Sequence, residues 1–367
     1  MKKWGRRYAE SYCSFNNHLR PGLTETCRIV KPFQKKLSSC WSSAHEGFTP
    51  SALHPPHYWG LPVSILRATL ASTLFATLLL TPLGSLFQPV YGDGVRPNCE
   101  TYRLIPNLYC IFPTLELGKL FSLIVLLLVI VGLAPRVTGI LHYWVQYSFM
   151  DGIAISDGGD QIATVLTLLL IPLTLTDSRT NMWAQPRGKK KHLSLAIAAA
   201  CLVGIKVQMS ALYLQSSIEK ISQAEWQIGN NLYYTFIGPF GLSGWVKQIL
   251  QPLFGQSVIV AAMTWSVIAI ELLIGIALVV KTNYRLWLFL LAVALHGGIA
   301  ILMGLWSFAL NMIAADLVFL VPFGSIWLSD RFSSKSYSSE NENTETISSK
   351  EVWGNSTNSD RDNRVVA

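Results

Sequence analysis

Charge is scarce in this chain. Only 14% of its 367 residues are Asp, Glu, Lys or Arg, against about 25% in ordinary soluble domains. A soluble domain of this length needs far more polar surface, so that class is excluded first. Chemistry-bearing signatures are missing as well: there is no P-loop, no GxSxG elbow and no HExxH helix, which removes the usual supports for ATPase and hydrolase readings. The basic balance of +8 is not accompanied by a zinc-finger, RNA-binding or helix-turn-helix pattern, so no nucleic-acid partner is expected. No apolar run occurs before Leu61. The basic opening with Lys2, Lys3, Arg6 and Arg7 therefore lacks the core of a cleavable signal peptide, and the first membrane helix is expected to serve as its own targeting signal. No internal repeat is visible, which weakens a transporter reading.

What is abundant is apolar sequence. Half of the chain is hydrophobic (51%) and its mean hydropathy is positive. A spanning helix takes about 20 mostly apolar residues, and eight segments qualify as candidates: 62–87, 120–135, 139–155, 161–176, 193–214, 258–280, 286–303 and 308–328. The weakest is 139–155, which contains His142 and Asp151 and has an interfacial helix as its alternative. The expected fold is thus all-α, a polytopic transmembrane helical bundle of about eight spans. It divides the chain into a basic cytoplasmic N-terminal tail (1–57), a transmembrane domain (58–328) and a Ser/Asn/Glu-rich C-terminal tail (329–367), whose composition reads as disordered.

Lys and Arg in the loops set the orientation. The basic N-terminal tail, Arg136, the cluster Arg187, Lys189, Lys190 and Lys191, and the pair Lys281 and Arg285 all fall inside when eight spans are counted. Both termini are then cytoplasmic, and the external side receives the loops 88–119 and 215–257 and the turn 157–160. Of six cysteines, Cys13, Cys27 and Cys40 lie in the N-terminal tail in spacings that fit no zinc site, and are read as free cytosolic thiols. Cys201 lies in an apolar run. Cys99 and Cys110 share an external loop with the turn residues Pro97, Pro106 and Asn107, and a structural disulfide that staples this loop is expected.

Ionisable residues inside a membrane are functional candidates by default. Arg67, Lys206, Glu271, His296 and Asp316 are the ones this sequence offers. At about 1.5 Å per residue, the last four fall roughly 12–20 Å from the inner ends of their spans. That places them near the midplane, either as one functional polar cluster or as ion pairs that only hold helices together. Lys220 ends a helix at the start of the long loop with Trp226, Gly229, Tyr233 and Tyr234. It is either a lysine snorkelling to the interface or a base held in a partly apolar pocket. In the turn Ser156-Asp157-Gly158-Gly159-Asp160-Gln161, glycines beside two carboxylates suit a metal, a polar partner or a plain interface marker. One turn cannot complete a metal site, so no metal is assigned.

These motifs carry a resemblance. The stretch Pro135-Arg136-Val137-Thr138-Gly139-Ile140-Leu141-His142-Tyr143-Trp144 is followed by Ser148-Phe149, by Asp157-Gly158-Gly159-Asp160-Gln161-Ile162, and by Leu169 through Asp177 with Arg179. Together with Arg67 in the opening span, it resembles the sporulation-delaying protein B family of bacterial integral membrane proteins, implicated in maturing a secreted antimicrobial peptide toxin. That family sits within the HTTM domain group, related to the membrane part of vitamin K-dependent gamma-carboxylase. The pattern Glu219-Lys220-(x5)-Trp226-(x2)-Gly229-(x3)-Tyr233-Tyr234 is similar to the segment bearing that enzyme's catalytic lysine, with one residue more between lysine and tryptophan. Asp160 stands where the carboxylase has a histidine, a departure that argues against identical chemistry. Glu271 and His296 match later helices of the group.

The resemblance implies Lys220, Asp160, Glu271 and His296 as catalytic residues; by their place in apolar spans, Arg67, Lys206 and Asp316 are polar intramembrane groups. It implies a bacterial plasma-membrane protein whose partners are the lipid bilayer, a secreted precursor peptide and a small accessory maturation protein. The leading expectation is a factor that matures or modifies a secreted toxin peptide on the external face. An HTTM enzyme with carboxylase- or quinone-type chemistry and a transporter or exporter are the alternatives. No particular cofactor follows from the sequence.

Overall fold

The computed structural model describes residues 58–321, apart from 88, 91–93, 96, 98, 100–104, 185–190 and 239–243. The expected tails, 1–57 and 329–367, and the cysteines Cys13, Cys27 and Cys40 lie outside the described residues. Its regular structure among the described residues is helical apart from a two-residue antiparallel ladder, in which Pro89 faces Val95 and Val90 faces Gly94, and one isolated bridge between Leu133 and Asn181.

Thirteen α-helices follow one another among the described residues. They are α1 (Leu61–Leu80), α2 (Leu83–Leu86), α3 (Leu108–Ile111), α4 (Leu115–Val131), α5 (Pro135–Gly152), α6 (Gly158–Leu175), α7 (His192–Ser222), α8 (Ala224–Ile228), α9 (Asn231–Ile237), α10 (Gly244–Phe254), α11 (Ser257–Gly275), α12 (Thr282–Met303) and α13 (Trp306–Leu320). A 3-10 turn, Ile276–Leu278, extends α11. Each of the eight expected apolar segments overlaps a helix among the described residues, and the first overlaps both α1 and α2. Five helices are long and apolar enough to cross a membrane: α1, α6, α7, α11 with its 3-10 extension, and α12. The other three depart from that group for physical reasons. Helix α4 has 17 residues and α13 has 15, so they rise about 26 Å and 22 Å, short of the roughly 30 Å hydrocarbon core. Helix α5 buries Thr138, His142, Gln146 and Ser148, a polar stripe unlike the apolar faces of the five.

Local chemistry fixes the boundaries. The first expected span, 62–87, is cut short: α1 ends at Leu80 and Thr81 is extended, because the residue before a proline, here Pro82, is pushed out of the helical region. Helix α5 starts with Pro135 at its first turn, where a missing N–H costs nothing. Helix α6 opens with a capping box, Asp157 accepting from the Asp160 N–H at 2.8 Å. Thr114 caps α4 by accepting from Leu117 N. Helix α7 runs to Ser222, eight residues beyond the expected 193–214 span, and so carries Lys220 on a rigid rod.

Two ends of the bundle are pinned. At one, Ala134 N donates to Thr180 O and Met182 N to Gly132 O, both 2.8 Å, while Trp59 donates to Leu173 O and Ser64 to Met182 O. At the other, Asn107 Nδ2 donates to Ser148 O and to Asp151 Oδ2, clamping the loop before α4 onto α5. Cys99 and Cys110 are joined by a disulfide in that loop. The apolar core between α1, α4 and α5 gathers Leu74, Leu78, Leu126, Val129, Val145 and Phe149. Helix α13 is the hub: it packs on α1, α6, α7 and α12, and nine of its residues are buried.

Candidate functional site

Where α7, α11, α12 and α13 meet, four polar side chains of α7 fall on one face. Tyr213, Ser216, Ser217 and Lys220 follow the i, i+3, i+4, i+7 spacing that stacks side chains along a helix. Lys220 Nζ donates to Glu271 Oε1 at 2.9 Å, to Glu271 Oε2 at 2.8 Å and to Ser216 Oγ at 2.5 Å. An ammonium has three donors, so all of them are engaged. Ser216 Oγ in turn donates to Glu271 Oε2 at 3.2 Å, and the Trp226 ring of α8 stands 5.4 Å from Nζ. The pair is sheltered but not sealed, with side-chain exposures of 21% for Lys220 and 11% for Glu271. A charge pair at that depth is held by geometry and remains partly exposed.

Two turns down the same face, the Tyr213 hydroxyl lies 2.7 Å from His296 Nε2 on α12 and 2.7 Å from Asp316 Oδ2 on α13. These three are 1%, 2% and 0% exposed. His296 Nε2 and Asp316 Oδ2 are 3.7 Å apart, too far for a direct hydrogen bond. One phenolic hydrogen therefore joins two partners. When Tyr213 donates to Asp316, it accepts from His296 Nε2–H. When a protonated Asp316 donates to Tyr213, Tyr213 donates to His296 Nε2. Switching between the two arrangements moves a single proton between carboxyl and imidazole through the phenol. His296 Nδ1 and Asp316 Oδ1 have no hydrogen-bond partner among the described residues.

The glycine turn buttresses this cluster. Phe308 packs edge-on against His296, ring centroids 5.6 Å apart. Its backbone lies directly under Gly159, where a Cβ would stand 2.6 Å from Phe308 Cα. Ser307 Oγ donates to Asp157 Oδ2 at 3.3 Å, and Asn311 Nδ2 to Gly159 O at 3.2 Å. Thr73 on α1 completes the chain by donating to Asn311 Oδ1 at 2.7 Å.

The candidate residues thus separate. Lys220 pairs with Glu271, and two turns below on the same helix Tyr213, missed by sequence reasoning, joins His296 to Asp316. Its signal was its place seven residues before Lys220, on the same helical face. Asp160 lies in the capping box with Asp157 and takes part in the turn that carries Phe308 to His296. Lys206 is buried on α7 about two turns before Tyr213. Arg285, expected in a cytoplasmic loop, is buried on α12 and donates to Leu278 O and Val280 O. Arg67 belongs to a different polar group, at the pinned end near Met182. Among the described residues no three His, Cys, Asp or Glu side chains are grouped to hold a metal ion.

Fold and site together define a helical membrane protein with a sheltered lysine–carboxylate pair above a buried Tyr-His-Asp chain. Its relatives supply the family. The chain is 30% identical over 270 residues to the sporulation-delaying protein SdpB of Bacillus subtilis (strain 168), covering 72% of this chain and 82% of that protein. It is 30% identical over 273 residues to the uncharacterized protein YitO of the same organism, covering 73% and 87%. The chain belongs to the SdpB family. No family model matches it, and no solved structure matches it.

Proposed function

We propose that this protein serves a sporulation-delaying toxin pathway by maturing or modifying a secreted antimicrobial peptide at the outer face of the bacterial plasma membrane. The observation that carries the reading is the Lys220–Glu271–Ser216 group at the end of α7, stacked above Tyr213, His296 and Asp316. Lys220 meets the peptide and acts as a base after passing one ammonium proton to the Glu271 carboxylate it already contacts, with Ser216 as its orienting partner. His296, Asp316 and Tyr213 form a second, buried proton-sharing chain two turns below it. Asp160 shapes the turn behind Phe308. Eight spans with both termini inside put the C-terminal end of α7 outside, on the side where the Cys99–Cys110 disulfide is chemically at home. The precursor peptide and a small accessory maturation protein are the partners this reading requires.

The Lys220–Glu271 pair also favours a second reading, kinship with the HTTM group and a base-driven reaction of carboxylase type that uses a quinone-like lipid. Its product is a peptide with a carboxylated glutamate.

One experiment separates them. Peptides secreted by cells with the intact gene, without it, and with Lys220→Ala or Glu271→Gln are compared by mass spectrometry, with membrane insertion checked by immunoblot. A cleavage or mass difference lost in both variants supports maturation, and a gain of one carbon dioxide per modified glutamate selects the second reading. Identical peptides from all four strains refute both.

A further inference from the structure

At the opposite, pinned end of the bundle, the structure holds a buried cation without a full set of partners. Arg67 on α1 is 2% exposed. A guanidinium carries five N–H donors, yet the hydrogen-bond acceptors it meets among the described residues are Thr138 Oγ1 at 3.2 Å and Met182 Sδ at 3.6 Å, the second a weak one. The nearby carboxylate of Asp177 is committed elsewhere: Arg179 grips it with Nε at 2.9 and 3.1 Å and with Nη2 at 2.7 Å.

The stripe that begins at Thr138 continues along α5. His142 and Gln146 follow at four-residue steps, so they share its face, and they are 2% and 1% exposed. His142 Nε2 and both polar atoms of the Gln146 amide have no hydrogen-bond partner among the described residues. From Thr138 to Gln146 the stripe is about 12 Å long. Buried polar groups are paired in the great majority of native structures, and a helix bundle in lipid has no bulk solvent to satisfy them. If packing alone mattered, leucine at 142 and 146 would serve better.

We infer that the Arg67 end of this stripe is a binding site for a small oxyanion of the carboxylate or phosphate class, seated on Arg67 and beside His142, with Gln146 ordering water further along. Water would satisfy an amide or an imidazole, but it would leave Arg67 with only the charge of Asp177, which it shares with Arg179. An oxyanion supplies the charge and the acceptors together, and the planar fork of arginine matches its oxygens. The approach favours the same ligand. Arg136, exposed, donates to Asp177 O at 2.7 Å, so Arg67, Arg136 and Arg179 gather around a loop with a single carboxylate, Asp177. That positive excess attracts anions.

The test uses the full chain in nanodiscs of neutral phosphatidylcholine, with the unfolding midpoint followed by tryptophan fluorescence. Inorganic phosphate and acetate are titrated against chloride at constant ionic strength, and a parallel sample carries phosphatidylglycerol. The expected result is a saturable rise in midpoint with an oxyanion and not with chloride. In the double variant His142→Leu, Gln146→Leu, which keeps Arg67, the apparent affinity falls at least tenfold while the ligand-free midpoint is unchanged or higher. A rise with phosphatidylglycerol alone, lost in the double variant, supports the site and assigns the oxyanion to a lipid headgroup. Equal responses of wild type and double variant, or no response to any oxyanion, overturn the proposal. Because the readout is binding, failure of the toxin-maturation reading leaves this result intact.

Discussion

Replacing Tyr213 by phenylalanine removes one oxygen and keeps the ring, and two buried groups are left to bear the loss. Asp316 is fully buried, its Oδ1 is already unpartnered, and Oδ2 has the Tyr213 hydroxyl as its hydrogen-bond partner. His296 Nε2 stands 3.7 Å from that carboxyl, so neither replaces the phenol for the other. An unmet buried polar group costs about 1–3 kcal/mol, whereas hydrogen bonds inside membrane proteins average about 0.6 and reach about 1.7 kcal/mol. With two such bonds lost around a sealed carboxyl, about 1.5–3 kcal/mol is the expected destabilisation. The assay is unfolding of the purified chain in mild detergent, run as a cycle of Tyr213→Phe, Asp316→Leu and the double variant. Because removing both partners of a buried bond is far less costly than removing one, the double variant should be more stable than the sum of the single losses by about 1 kcal/mol or more. A Tyr213→Phe protein as stable as wild type, with strictly additive singles, would refute the reading of Tyr213 as the joint of this chain.

Two further outcomes follow from the geometry around the site. Gly159→Ala forces a methyl against the Phe308 backbone; it should cost about 1–3 kcal/mol in the same unfolding assay, and an unshifted midpoint would mean that the turn and α13 do not meet so closely. Cys99→Ser with Cys110→Ser opens the staple of the loop before α4. A loss of about 2–4 kcal/mol is expected, reproduced in the wild type by dithiothreitol and absent from the double variant on adding the same reductant; a midpoint insensitive to both would argue against a disulfide there.

Much of the helical framework was legible because membrane helices announce themselves by length and apolarity. The first boundary was not: hydropathy runs on through Leu83 and Leu86, and the break at Thr81 depends on the ring of Pro82. Lys220, Glu271, His296 and Asp316 stood out as costly groups in apolar surroundings. Their grouping was harder to read, since lipid and protein interior are equally apolar and hydropathy cannot tell the two faces of a helix apart. On α12, the buried residues Arg285, Leu288, Ala292, His296 and Ala300 form one narrow stripe, set by which neighbours pack there. Tyr213 looked like one more aromatic, and its role exists only because α12 and α13 bring a histidine and an aspartate to the same hydroxyl. His142 and Asp151 weakened the case for a span at 139–155, although His142 turns inward and Asp151 is held by Asn107.

The hub position of α13 carries a consequence for biosynthesis. Ribosomes deliver α1 early and α13 last of these helices, yet Thr73 of α1 and Gly159 of α6 are joined through Asn311 of α13. Until that final segment emerges, the earlier helices must wait in the membrane with their polar atoms unclaimed, and Tyr213 has no Asp316 to meet. Emergence of α13 is therefore the step that brings these groups together, and a chain interrupted before Trp306 is one that quality-control proteases should recognise and clear.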